Sequence, residues 1–211
     1  LGTLFPYTTL FRSPKYTRYW MFLGEASTFL AKQEQDSETK SSLLKEAEEY
    51  LNKALALAPK HQEIFVDLAK MEIVAQNFEK AKEYSQSCAQ LNQTIGDCYF
   101  YLGLAEIYLN DLQAAQQSIL AAAAKLYNTE SMESLGELAD AYADIQVYKN
   151  LVIVFEKIVA LEPGNAQYNS TLAFLYSKTK DYKKARDEAL KVLELSPESK
   201  ENVEQFLKTL P

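Results

Sequence analysis

The sequence predicts an all-α protein, a stack of helical hairpins ended by a capping helix, and three observations carry that reading. The 211 residues include six glycines and six prolines, too few for a turn-rich sandwich or barrel. Alanine, leucine, glutamate and lysine, all good helix formers, fill much of the remainder. A small or apolar residue also recurs at Ala47, Ala81, Ala115, Leu151 and Ala185, at steps of 34, 34, 36 and 34. A fixed period of that length marks a repeat architecture.

The hairpins follow in order. Twelve residues after each marker stand Pro59, Gln93, Tyr127, Pro163 and Pro197, and proline there stops a helix. Twelve residues before the last four stand Ala69, Gly103, Ala139 and Ala173, each preceded by leucine. One small residue on each helix lets the two backbones approach closely. The first hairpin runs from Trp20, Leu23 and Gly24 to Ala47, Leu51 and Ala54, with eleven residues more than the others between its markers. The polar stretch Lys32–Ser42 is expected to form an elongated helix end and a surface loop. The fourth hairpin carries two extra residues near Asn128–Ser131 and has Leu151 where the others have alanine. A longer turn and looser helix packing are expected there. After Pro197, Val203, Phe206, Leu207 and Leu210 share one helix face, with Lys200, Glu201, Glu204, Gln205 and Lys208 opposite. That amphipathic pattern predicts a cap that closes the stack.

The spacing resembles the tetratricopeptide repeat, W-x2-L-G-x2-Y, then A-x3-F, then P. The resemblance spans Thr17 to Pro197, and its best copy runs through Asn169, Leu172, Ala173, Tyr176, Ala185, Ala189 and Pro197. It implies a right-handed superhelical stack with units at about 17–61, 62–95, 96–131, 132–165 and 166–199. A cap at 199–210 completes one domain over 14–211. Residues 1–13 resemble a translated sequencing-adapter read-through, with a natural flexible arm as the alternative. On either reading the chain is expected to be the C-terminal piece of something longer.

Composition excludes several functions. A net charge of −7 is unsuited to the cationic footprint that nucleic acid requires. No apolar run approaches the length of a membrane span, about 18 residues, so no direct membrane insertion is expected and the domain is expected to be soluble. The cytoplasm is favoured, or the envelope if the chain belongs to a larger membrane protein. His61 reads as a surface turn residue, Glu48-Glu49 as a solvated helix face, and Tyr142, Tyr148, Tyr176 and Tyr182 as packing. No phosphate-binding loop, nucleophile motif or metal cluster is present, so neither catalysis nor a cofactor is expected. Cys88 and Cys98 are either two small buried apolar residues or a bridge across one inter-helix turn.

The resemblance places binding on a groove lined by the first helices, at positions following the aromatic, small and tyrosine slots. The apolar candidates are Val66, Ile73, Phe100, Leu104, Ile107 and Phe174. The polar candidates are Lys70, Glu133, Asp140 and Asp144. They imply a protein or peptide partner bearing apolar and basic residues. The alternative leaves the apolar stripe as core. The family's carboxylate-clamp pattern is missing, since only Lys70 is basic where Asp97, Glu133 and Asp140 follow. A second functional reading rests on Arg18-Tyr19-Trp20 ahead of degenerate repeats. That order resembles the soluble tail of envelope polysaccharide ligase- or polymerase-like membrane proteins.

Overall fold

The computed structural model describes residues 16–211, so the arm expected at 1–13 lies outside the described residues. No strand occurs among the described residues. Ten helices pair as hairpins: α1 (Thr17–Gln33) with α2 (Ser37–Leu57), α3 (Gln62–Val74) with α4 (Phe78–Leu91), α5 (Gly96–Tyr108) with α6 (Leu112–Ala124), α7 (Met132–Asp144) with α8 (Tyr148–Leu161), and α9 (Ala166–Lys178) with α10 (Tyr182–Leu195). A short 3-10 turn (Pro197–Ser199) leads into α11 (Lys200–Thr209). The chain, framed by its sequence as one domain, divides into two compact units, one running to Tyr127 and the other Asn128–Pro211.

Local chemistry sets where helices start and stop. Asp36, Asp111, Ser131, Asn165 and Asp181 each accept a hydrogen bond from a backbone N–H of the first turn that follows, satisfying donors that the helix itself cannot. Within four hairpins the first helix ends on a residue with positive φ: Gln76 (61°), Asn110 (60°), Gln146 (58°) and Lys180 (66°). At each, the next N–H reaches five residues back, as Asn77 N does to Glu72 O at 2.8 Å, the usual left-handed helix stop.

Leu126 is a fifth such residue (φ 64°), in the turn that closes the first unit, and it is 95% exposed. A left-handed leucine costs about 1 kcal/mol, and this one returns no packing. Leu126→Gly is therefore expected to raise stability by about 0.5 kcal/mol, net of glycine's extra chain entropy, in a urea titration. A loss would show that the side chain packs after all.

The eleven-residue insertion is helix more than loop. It lengthens α1 and α2 to 17 and 21 residues and leaves only 34–36 between them. Asp36 caps α2, and the polar residues behind it are ordinary helix surface. The turn before α7 spans 125–131, against 58–61, 92–95 and 162–165 elsewhere. Here Ser134 Oγ donates to Asn128 O at 2.8 Å. Helices α7 and α8, with Leu151 between them, are the loosest pair of the five.

Each unit has its own core. In the first, Ala47, Leu51 and Ala54 of α2 meet Ile64, Leu68 and Met71 of α3. A Cβ on Gly24 would stand 2.6 Å from Leu51, and one on Gly103 2.8 Å from Ile119, so both glycines mark close helix approach. The family's tyrosine slot holds Glu72 and Glu106 here, both buried. Glu72 accepts from Asn77 Nδ2 at 2.7 Å and pairs with Lys80 at 3.5 Å; Glu106 accepts from Ser118 Oγ at 2.7 Å. In the second unit the slot returns to tyrosine, and Tyr176 OH donates to Glu156 Oε1 at 2.6 Å. There Leu172, Ala173, Ala185, Ala189 and Val192 meet Val203, Phe206, Leu207 and Leu210 of the C-terminal segment.

Candidate functional site

The first unit opens a cleft of about 730 Å³ between α1, α3 and the turn before α5. Helix α1 supplies Arg18, Met21, Phe22 and Glu25. Helix α3 supplies Glu63, Val66, Asp67 and Lys70, a stripe at steps of three, one and three that one helix face must present. Thr94, Ile95, Gly96, Asp97 and Lys125 form the opposite wall. That wall is braced: Thr94 donates through N and Oγ1 to Asn92 Oδ1 at 2.9 and 2.7 Å. Behind it Cys88 and Cys98 form a disulfide across the turn, with Cα atoms 5.5 Å apart. Of the two readings open in the sequence, the bridge is the one observed.

Charge in this cleft is uneven. Lys70 Nζ lies 5.1 Å from the Tyr101 ring and Lys125 Nζ 4.7 Å from the Tyr99 ring, so both cations already have aromatic faces. Asp67 is half-buried and its carboxyl is pushed up to about 7. Burial is the main cause, Lys70 offsets part of it, and Glu25 and Glu63 add to it. Folding therefore takes up a proton between the ordinary 3.8 and about 7. The stability from this group is full below about 4 and lost as pH rises through 7.

The residues named from the sequence fall in different places. Val66 and Lys70 line the cleft with Met21 and Glu25; Ile73 is half-buried outside it. Phe100, Leu104 and Ile107 do not form an open surface: Phe100 and Ile107 are 0% exposed and Leu104 nearly so. Helix α5 is buried around almost its whole circumference, as helices apolar on all sides are. Phe100 stacks on Tyr127 at 4.6 Å. Glu133, Asp140 and Asp144 are exposed on α7. Phe174, 45% exposed, lines a separate cleft of about 510 Å³ in the second unit, with Ser170, Ala173, Val192 and Val203. Sequence reasoning missed Glu63 and Asp67. They share the helix stripe of Val66 and Lys70, and extending that stripe by one turn would have found them.

Among the described residues, no group of three or more His, Cys, Asp or Glu could hold a metal ion, and no helix is long and apolar enough to cross a membrane. Hairpins in fixed register, each with a small residue at the helix crossing, define a helical-repeat protein. Residues 41–61 and 166–199 match the family model of the tetratricopeptide repeat. No curated protein matches the chain by sequence. Similar solved structures share the fold. YrrB, a TPR protein with an unusual peptide-binding site, is 15% identical over 90% of this chain and 91% of its own, with a TM-score of 0.56. A MamA protein is 20% identical over 88% and 94%, with a TM-score of 0.59. MamA from Desulfovibrio magneticus is 17% identical over 82% and 96%, with a TM-score of 0.57.

Proposed function

We propose that the chain is a non-catalytic interaction module that holds a segment of another protein in the cleft of its first unit. The observation that carries this is Asp67, a half-buried carboxyl beside Glu25 and Glu63 in an open cleft with apolar Met21, Phe22 and Val66. The cleft's lysines have aromatic faces, whereas Asp67 gains most from an added cation. The partner's contribution is a lysine or arginine flanked by apolar side chains. The likeness in fold to YrrB, which has a peptide-binding site, supports the reading. Phe174 and the exposed carboxylates Glu133, Asp140 and Asp144 offer the same partner chemistry on the second unit.

One buried apolar anchor contributes roughly 1.5–3 kcal/mol, and ordering costs consume much of it, so micromolar binding is expected. Fluorescence anisotropy with a labelled Leu- and Arg-bearing peptide tests this, against the same peptide with glutamine for arginine. A cation prefers ionised Asp67, so affinity should rise from pH 6 to pH 8 by up to about tenfold. Asp67→Asn should flatten that rise. Equal affinity for the two peptides, or a pH profile unchanged in Asp67→Asn, would remove the site.

A further inference from the structure

The Cys88–Cys98 disulfide closes a loop of chain that contains most of one wall of the first unit's cleft. Cys88 lies in the last turn of α4 and Cys98 in the first turn of α5, ten residues on. Thr94, Ile95, Gly96 and Asp97, which form that wall with Lys125, all fall between them. Both cysteines are 0% exposed. Cys88 Sγ also lies 3.5 Å from the backbone oxygen of Gln62. Gln62 is the first residue of α3, whose Glu63, Val66, Asp67 and Lys70 line the facing wall. The bond therefore sits where both walls begin. The preceding junction has no such bond. Counted from the small-residue markers, Cys88 corresponds to Ala54 of α2 and Cys98 to Ile64 of α3. Both of those are fully buried in one apolar cluster. Apolar contact thus fills one junction of this unit, and a covalent bond the next. Hydrogen bonds do not substitute for that bond, because Thr94 donates to Asn92 Oδ1 and Asn92 N to Cys88 O, all inside the closed segment. Further on, the stack of Phe100 on Tyr127 keeps α5 seated with or without it. What the bond adds is a fixed position for the turn before α5.

We propose that this disulfide regulates the cleft. With the bond intact the wall is held ready for a peptide; with it reduced the wall loosens and affinity falls, while the fold persists. The role rests on the cleft being the binding site proposed above. Two thiols are small and apolar and pack much as Ala54 and Ile64 do, so reduction spares the core. The reduced Cys88 thiol also has an acceptor in place, the Gln62 oxygen. The reductant is a dithiol. Its thiolate attacks one sulfur to form a mixed disulfide, and the other cysteine leaves as a thiolate that takes up a proton. The reductant's second thiolate then displaces the remaining cysteine. Two electrons pass, leaving Cys88 and Cys98 as thiols and the reductant as its own disulfide. Because both sulfurs are buried, attack requires the turn to open, and a peptide seated against residues 94–97 opposes that opening. By linkage, whatever factor reduction costs in peptide affinity is the factor by which bound peptide favours the intact bond.

The test compares the full chain oxidised, the same chain reduced with dithiothreitol, and Cys88→Ala with Cys98→Val, which replaces the bond by apolar contact of similar volume. Amide hydrogen exchange over residues 89–100 needs no ligand. It should quicken about tenfold in the reduced chain and in the variant, with residues 54–64 unchanged. Anisotropy with the Leu- and Arg-bearing peptide should show affinity about tenfold lower in both, since a loosened wall must be ordered on binding. The variant should not respond to dithiothreitol. Exchange unchanged on reduction overturns the proposal, as does equal peptide affinity in the oxidised and reduced chains. A folded variant with the oxidised chain's exchange overturns it too, and so do free thiols in the chain purified under air. Loss of the helical far-ultraviolet spectrum on reduction also overturns it, by making the bond a condition of the fold. Quickened exchange with no peptide bound in any form would instead sink the binding-site reading, with the bond's hold on the wall upheld.

Discussion

Glutamate at both Phe100 and Leu104 is expected to unfold the first unit. Both side chains are buried in a helix that is itself buried on nearly every side. Phe100 also supports the ring of Tyr127. Each substitution removes a large apolar group and puts a carboxylate where no cation waits, a loss of several kcal/mol for each. The sum exceeds what most single cores can spare. A urea titration followed by circular dichroism should show no native baseline, or a midpoint far below that of the parent. A folded variant with the parent's midpoint would return both residues to an open groove and reverse the correction made above.

Gly96→Val is expected to cost about 2–3 kcal/mol, at the upper end for overpacking. A Cβ there would stand 2.6 Å from the Tyr127 Cβ and 3.0 Å from the Ala122 carbonyl oxygen. Neither can move alone, because one is backbone and the other is fixed by the stack on Phe100. Since Gly96 is part of the cleft wall, peptide affinity should fall along with stability. A stability change within about 0.5 kcal/mol, the range of neutral surface substitutions, would show that the wall yields.

Much of the fold was legible because the repeat writes it several times. The markers at Ala47, Ala81, Ala115, Leu151 and Ala185 fall at helix crossings, and the proline at 59, 163 and 197 falls just past a second helix. The insertion was less legible. Lys32–Ser42 is polar, and polar residues serve equally as loop and as the exposed side of a long helix. The candidate site was harder still. A stripe at steps of four and three describes a groove and a core alike, and what separates them is a partner far along the chain. For Phe100 that partner is Tyr127. Lys70 has the same spacing but is half-buried on the cleft wall, above a Val66 that is 6% exposed. The Cys88–Cys98 bridge depends on how closely a turn brings two helices together, which spacing alone leaves open.

The first hairpin has a practical use. Helix α2 has 21 residues where α4 has 14, so at 1.5 Å per residue its start projects about 10 Å beyond the body of the unit. The tip, Gln35 to Thr39, is exposed throughout and contains no aromatic or large apolar group. It is fixed by a cap rather than by tertiary packing, since Thr39 N donates to Asp36 Oδ2 at 2.8 Å. A fluorophore or an affinity tag attached at Glu38, exposed at the tip, would therefore ride on a short rigid mast. It would report on the first unit while leaving its core and its cleft undisturbed.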